Sequence, residues 1–241
     1  MKIRDLFRAV FPPILFNPIY AATRMAKLRR RTGDAGRYTV DFFEGHAFAW
    51  APLIEQYQPK SYLEVGSLEG MSASFFIRQA GALSELSVHC IDTWEGGVEH
   101  LSGGKMEMAM SSVEARFDHN VSKAISAVPN RVRLVKHRDQ SHRALACLIN
   151  QGLENSFDFA YIDGSHQAPD VLIDAVLSFK LVRTGGILVF DDYLWAEEQG
   201  HLTDPLRSPK LAIDSFVNVN IRKLEVFYSR SGQLVVRKTS C

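Results

Sequence analysis

The chain has 241 residues, nearly half of them apolar, with a formal net charge of +1. That is enough material for one large α/β domain with an appendage, and too little net charge for a general nucleic-acid binder. Three cysteines, Cys90, Cys147 and Cys241, are odd in number and far apart, which argues against a disulfide framework or a zinc site and fits a reducing, cytoplasmic setting.

The charge is unevenly placed. Residues 1–31 hold eight Lys/Arg against one Asp, a net +7, which leaves −6 on the other 210 residues. Residues 9–22 are apolar but contain Pro12, Pro13 and Pro18, and they fall short of the ~20 apolar residues a membrane span needs. The prolines and the basic run 27–31 also argue against a secretory signal. Two readings of this arm, residues 1–36, stay open. It packs on its own domain or on a second subunit, as in a homo-oligomer. Alternatively it lies peripherally on an anionic membrane, with Phe7, Phe11, Leu15, Phe16 and Ile19 dipping in. Residues 32–36, Thr-Gly-Asp-Ala-Gly, read as the linker to a second unit, 37–241.

Residues 38–56 are expected to form a helix. Residues 61–71, SYLEVGSLEGM, then read as a buried parallel strand, a glycine turn and a helix start. Gly66 and Gly70 bracket the turn, where a missing Cβ permits positive φ or close approach of a ligand. The pattern is Glu-x-Gly-x-x-x-Gly, and alone it is equally a tight turn without a ligand. The next strand, 87–92, ends in Asp92, about the spacing expected between a glycine turn and a ribose-binding carboxylate; a helix cap is the competing role.

A glycine-rich loop over 93–105 precedes a helix expected over 106–128. Further strands are expected at 132–136, 157–163 and 187–190, alternating with helices over 141–150 and 169–182, the latter closed by Thr184-Gly-Gly186. Strand–helix alternation implies a doubly wound parallel sheet with ligands beyond the C-terminal strand ends. Glu64, Asp92, Asp139, Asp163, Asp191 and Asp192 all fall at such ends, more carboxylates than caps alone explain. A loop over 193–204, a helix over 210–218 and a hairpin of strands 224–228 and 234–238 complete the chain.

This order of elements resembles the class I S-adenosylmethionine-dependent methyltransferases over residues 40–238, with a mostly parallel, seven-stranded Rossmann-like sheet and a C-terminal antiparallel hairpin. The stretches that carry it are LEVGSLEGMS, HCIDTWEGG, FDHN, YIDGSH, GGILVFDDYLW and AIDSF. It is most similar to the group of catechol-type and macrolide-sugar metal-dependent O-methyltransferases. An NAD-dependent dehydrogenase fits worse, since its glycine fingerprint is absent.

The resemblance implies that Glu64, Gly66, Ser67, Gly70 and Ser72 hold the methionine end of S-adenosylmethionine. Asp92 would bind the ribose, Thr93 and Trp94 would lie near the adenosine, and Gln140 and Ser141 would flank the adenine. Asp163 would also touch the cofactor. It further implies Asp163, Asp191 and Asp192 as ligands of Mg2+ or another divalent cation, with Asp163 and His166 catalytic and His166 the general base. On the residues alone, three carboxylates converging on one spot call for protonation, spacing or a cation, and helix capping is the alternative. The expected reaction is methylation of a hydroxyl on a sugar, glycan or glycosylated metabolite. A catechol-like phenol acceptor is the rival, and a non-catalytic cofactor-binding subunit is the alternative from another class.

Overall fold

The computed structural model describes residues 37–241, except 41, 44, 98–99, 101–108, 196–197, 200–201 and 231. The basic arm and its linker, and the expected helix start at Met106, lie outside the described residues.

Seven strands form one sheet: β1 (Ser61–Val65), β2 (Leu86–Asp92), β3 (Val132–Arg138), β4 (Phe157–Ile162), β5 (Val182–Phe190), β8 (Leu224–Arg230) and β9 (Gln233–Lys238). Their order is β3-β2-β1-β4-β5-β9-β8. The first five run parallel, and β9 pairs antiparallel with both β5 and β8. The doubly wound sheet with a terminal hairpin is therefore observed. The order reverses between β1 and β4, and β1 and β4 end beside each other there, which is where an open α/β sheet leaves its crevice. A separate two-stranded ribbon, β6 (Glu198–Gln199) and β7 (Leu202–Thr203), stands within the segment expected to be loop.

Six α-helices occur among the described residues: α1 (Ala47–Tyr57), α2 (Met71–Ala80), α3 (Val113–Ser126), α4 (Ser141–Asn150), α5 (Ala168–Leu181) and α6 (Pro209–Asn220). None is long and apolar enough to cross a membrane. α1 packs on α2 and α2 on α3, while α4, α5 and α6 pack in series on their own.

Strand pleating gives two different cores. Tyr62 on β1 and Phe159 and Tyr161 on β4 join Trp50 and Phe76 in an aromatic layer, with Tyr62 stacked on Phe76 at 4.0 Å and Trp50 edge-on to Tyr161 at 4.7 Å. Such pairs add about 0.5–1.5 kcal/mol each beyond area burial. The alternate residues Leu63, Val65, Ala160 and Ile162 enter an aliphatic core with Leu145, Val171, Phe179 and Phe216.

Three expected boundaries move. The first helix starts at Ala47, not at 38. The described residues before it form bends and a turn instead, with Thr39 donating through its N–H (2.6 Å) and hydroxyl (2.5 Å) to the carboxylate of Glu69, thirty positions away. The helix expected over 106–128 is helical from Val113 to Ser126, preceded by a 3-10 turn at Met110–Ser112. β5 begins at Val182, so Thr184-Gly-Gly186 lies inside a strand rather than ending a helix. Gly186 makes this feasible: a Cβ there would meet Val182 Cγ1 at 2.7 Å and the Arg183 carbonyl at 2.9 Å.

Candidate active site

The backbone ladders deliver the acidic residues to one rim. Gly66 N–H donates to the Ile91 carbonyl (2.9 Å), Asp163 N–H to Val65 (2.8 Å) and Asp191 N–H to Ile162 (3.0 Å), so each first residue beyond a strand is still pinned by its neighbour. Gly66 (φ +85°) lies so close to the next strand that a Cβ would stand 2.0 Å from the Asp163 carbonyl oxygen. The close approach expected at this glycine is thus to the protein's own backbone. Gly70 (φ +74°) likewise meets Phe117 and Val121 of α3.

Above this rim opens a cleft of about 520 Å³. Of the residues expected to bind the cofactor, Gly66, Asp92, Thr93, Gln140, Ser141 and Asp163 line it, and Asp191, Asp192 and His166 line its other end. Glu64, Ser67, Gly70, Ser72 and Trp94 stand behind its wall. Glu64 shares the β1 face of Tyr62 and is fully buried. Its carboxyl accepts from the hydroxyls of Tyr62 (3.0 Å), Ser67 (2.9 Å) and Ser72, and from the Cys90 thiol (3.5 Å). Burial pushes its pKa up, against those hydrogen bonds. Glu64 therefore braces the glycine turn from inside.

Asp92 clamps two loops together. Oδ2 accepts from the Ser67 and Leu68 N–H groups, both at 2.8 Å, and Oδ1 from the Trp94 N–H at 2.7 Å. Trp94 in turn donates through Nε1 to the Leu68 carbonyl (2.9 Å). Leu68 (φ 43°) and Trp94 (φ 54°) are non-glycine residues at positive φ, as is Asp192 (φ 51°) across the cleft. Each such residue costs on the order of 1–2 kcal/mol, and strain of this kind gathers at ligand sites whose surroundings over-determine it. Asp92 supplies that over-determination for two of the three. A carboxylate has about four lone-pair sites, so three backbone hydrogen bonds leave it able to accept another.

At the far end, Asp163, His166 and Asp192 offer one ligand atom each within 4.8 Å of one another. His166 Nε2 lies 2.8 Å from Asp192 Oδ2, and its ring stacks on Trp195 at 4.2 Å. Asp191, expected as a third carboxylate ligand, is not in this trio. It is 8% exposed and turned toward Tyr161, whose hydroxyl donates to Asp191 Oδ2 and, at 3.0 Å, to Asp163 Oδ2. Its Oδ1 accepts from the Asp192 N–H (2.9 Å) and lies 3.7 Å from His46 Nε2. Burial and then the Asp191 and Asp192 charges push the Asp163 pKa well above the carboxylate range. Like charges crowded in this way are relieved by a bound cation, and two carboxylates with an imidazole are a suitable donor set for a divalent ion. Asp163 and Asp192 are oxygen donors of the kind a hard divalent ion takes, while Asp191, expected as the third, is outside the trio.

Four residues of this region carried no role in the sequence reading: Phe42 and His46 on the cleft wall, Tyr161 beneath the carboxylates, and Asp174 on α5. Tyr161 was detectable, since it lies on β4 two positions before Asp163, the first residue beyond that strand. His46 and Phe42 carry no sequence signal, because tertiary contacts place them.

Comparison with known proteins bears on the whole constellation. The chain is 28% identical over 172 residues to a probable caffeoyl-CoA O-methyltransferase 3 of Dictyostelium discoideum, covering 67% of this chain and 59% of that relative's length. It superposes on the O-methyltransferase TomG of Streptomyces achromogenes, solved with SAM, with a TM-score of 0.59, 16% identity and full coverage of both chains. It also superposes on an O-methyltransferase of Bacillus cereus in complex with SAH, with a TM-score of 0.55, 16% identity and coverage of 97% and 96%. The sequence model of a methyltransferase domain matches residues 63–193, the span from β1 through both acidic strand ends. The chain belongs to this methyltransferase-domain family, and its sheet is the Rossmann-like sheet of class I S-adenosylmethionine-dependent methyltransferases.

Proposed function

We propose that the protein is an S-adenosylmethionine-dependent O-methyltransferase whose acceptor carries adjacent hydroxyls. The observation that carries this reading is one continuous cleft with the Asp92 clamp at one end and the Asp163–His166–Asp192 trio at the other. The relatives' descriptions as O-methyltransferases support it.

When bound, S-adenosylmethionine supplies a sulfonium methyl group, and a divalent cation supplies positive charge that lowers an acceptor hydroxyl's pKa. The chain's own residues do the rest. Asp92 accepts from a ribose hydroxyl while keeping the Ser67–Leu68 turn and the Trp94 loop in place. Asp163 and Asp192 would hold the cation, and the His166 imidazole acts as base rather than as a ligand. His166 is fixed by its contact with Asp192 and by the face of Trp195, so its ring is oriented to take the proton as the acceptor oxygen attacks. Tyr161 fixes the Asp163 and Asp191 carboxylates from below. Catalysis comes mainly from holding the oxygen in line with the methyl carbon.

For the acceptor we favour a sugar hydroxyl on a glycan or glycosylated metabolite. A catechol-like phenol is the second reading. It is supported by Phe42, 48% exposed on the cleft wall, and by the relatives described as caffeoyl-CoA O-methyltransferases. Radiolabelled methyl transfer to a panel of sugars and catechols, with EDTA and then with added Mg2+, tests both parts. Transfer to sugars that EDTA stops supports the reading, transfer to catechols alone supports the rival, and full activity in EDTA removes the metal. The arm we read as docking on its own domain or on a second subunit, with membrane association as the rival. Equally poor flotation with anionic liposomes of the full chain and a chain starting at Asp34 would exclude the membrane.

A further inference from the structure

Asp174 lies on α5, outside every role assigned above. It is 1% exposed, yet it lines the cleft beside Gly164 and Ser141. Its Oδ1 has no hydrogen-bond partner among the described residues. A buried carboxylate oxygen without a donor costs free energy that a folded chain seldom leaves uncompensated. Beside the carboxyl's other oxygen the lining is kept open by a missing side chain: a Cβ on Gly164 would stand 3.6 Å from Asp174 Oδ2 and 2.9 Å from Val65 Cγ1. The carboxyl thus faces a gap in the cleft lining at the end where Gln140 and Ser141 begin α4.

An ionised carboxylate only accepts, so the missing partner is an N–H or O–H donor. S-adenosylmethionine carries two nitrogen donors at opposite ends, its α-ammonium and the exocyclic amine of adenine. With the ribose at Asp92 and the methyl group directed to the Asp163 end, the base falls toward Gln140 and Ser141, beside Asp174. We propose that Asp174 reads the exocyclic amine of the cofactor's adenine and thereby selects adenine over a 6-oxopurine. The inference rests on the cofactor assignment above. A 6-oxo group in place of the amine sets an acceptor against an acceptor, which a buried site rejects strongly. Burial, with a smaller push from Asp170, raises the Asp174 pKa to about 7, against the Ser141 hydroxyl, so the test is run at pH 8.5 where the carboxyl is ionised.

The experiment is calorimetric titration of the full chain with S-adenosylhomocysteine and with S-inosylhomocysteine, its 6-oxo analogue. The wild type is expected to prefer the adenosyl form by roughly 10–100-fold, the worth of one charge-assisted hydrogen bond. Asp174→Asn, whose amide donates to a 6-oxo group, is expected to bring the two within about threefold or to reverse the order. A general loss of structure would weaken both ligands and leave their ratio alone. Equal binding of both by the wild type overturns the proposal and needs no variant. A variant that keeps the wild-type preference overturns it as well. Failure of the wild type to bind S-adenosylhomocysteine at all is a different result, and it removes the cofactor assignment on which the proposal stands.

Discussion

Gly66→Ala tests whether the turn beside the cleft is built on a backbone-to-backbone contact. Two costs are separable. Alanine at φ +85° pays the left-handed penalty, about 1–2 kcal/mol. Its Cβ would also stand 2.0 Å from the Asp163 oxygen, 2.5 Å from the Asp163 carbonyl carbon and 2.6 Å from Gly164 Cα. These are all backbone atoms, so no rotamer change relieves the clash. β4 must move away from β1, at the expense of the Asp163 N–H bond to Val65. The total is on the order of 4–5 kcal/mol, in the range reserved for severe single substitutions. Gly152→Ala is the control: φ is +79°, but nothing lies within 4 Å of its Cβ, so only the left-handed penalty applies. At about 2–4 °C per kcal/mol for a domain of this size, the control should lose roughly 2–8 °C in Tm and Gly66→Ala roughly 8–20 °C. Differential scanning calorimetry reads both. S-adenosylhomocysteine affinity should survive in the control and fall in Gly66→Ala. Equal Tm losses in the two variants would refute the contact argument.

Tyr161→Phe keeps the aromatic core but removes the hydroxyl shared by Asp163 and Asp191; Mn2+ affinity by calorimetry should fall about 10–100-fold with little loss of Tm, and an unchanged affinity would deny Tyr161 a positioning role. His166→Ala should still bind S-adenosylhomocysteine while single-turnover methyl transfer drops by roughly 10²–10⁴, whereas an unchanged rate would pass proton removal to a carboxylate. Asp158, away from the cleft, is partly buried, which alone would raise its pKa, but Arg183, the Lys60 N–H and the Ser61 hydroxyl hold it below the usual carboxylate range. Its ionised form therefore stabilises the fold above the unfolded-state pKa, and that stability is lost as pH falls through the depressed folded-state value. Asp158→Asn should lower Tm at pH 7 and lessen the Tm decline on acidification, and an unaltered acid limb would contradict this.

The parallel strands were legible because each is a short apolar run bounded by turn residues. Asp92, Asp163, Asp191 and Asp192 were legible as carboxylates at strand ends. What sequence did not supply was orientation. Glu64 and Asp191 end strands just as Asp92 does, yet Glu64 shares the face of Tyr62 and is drawn into the aromatic core, and Asp191 is turned down by Tyr161. The pleat made the first outcome readable, since Tyr62 and Glu64 are two apart. The second depends on a hydroxyl from the neighbouring strand, and so on the β4–β5 register. The path of residues 37–46 was illegible for the same reason. Its anchors, Glu69 and Asn120, are distant in sequence, with Asn120 Oδ1 accepting from the Arg37 N–H at 2.6 Å.

The central claim is that the cleft above Asp92 takes the adenosyl cofactor, and calorimetry with S-adenosylhomocysteine and NAD on the full chain tests it most directly. The account predicts one S-adenosylhomocysteine per chain, no competing NAD site, and affinity weakened about 10–100-fold in Asp92→Ala, where the ribose contact and the Ser67–Leu68 clamp are lost together. Absence of S-adenosylhomocysteine binding, or binding of NAD in its place, would contradict it.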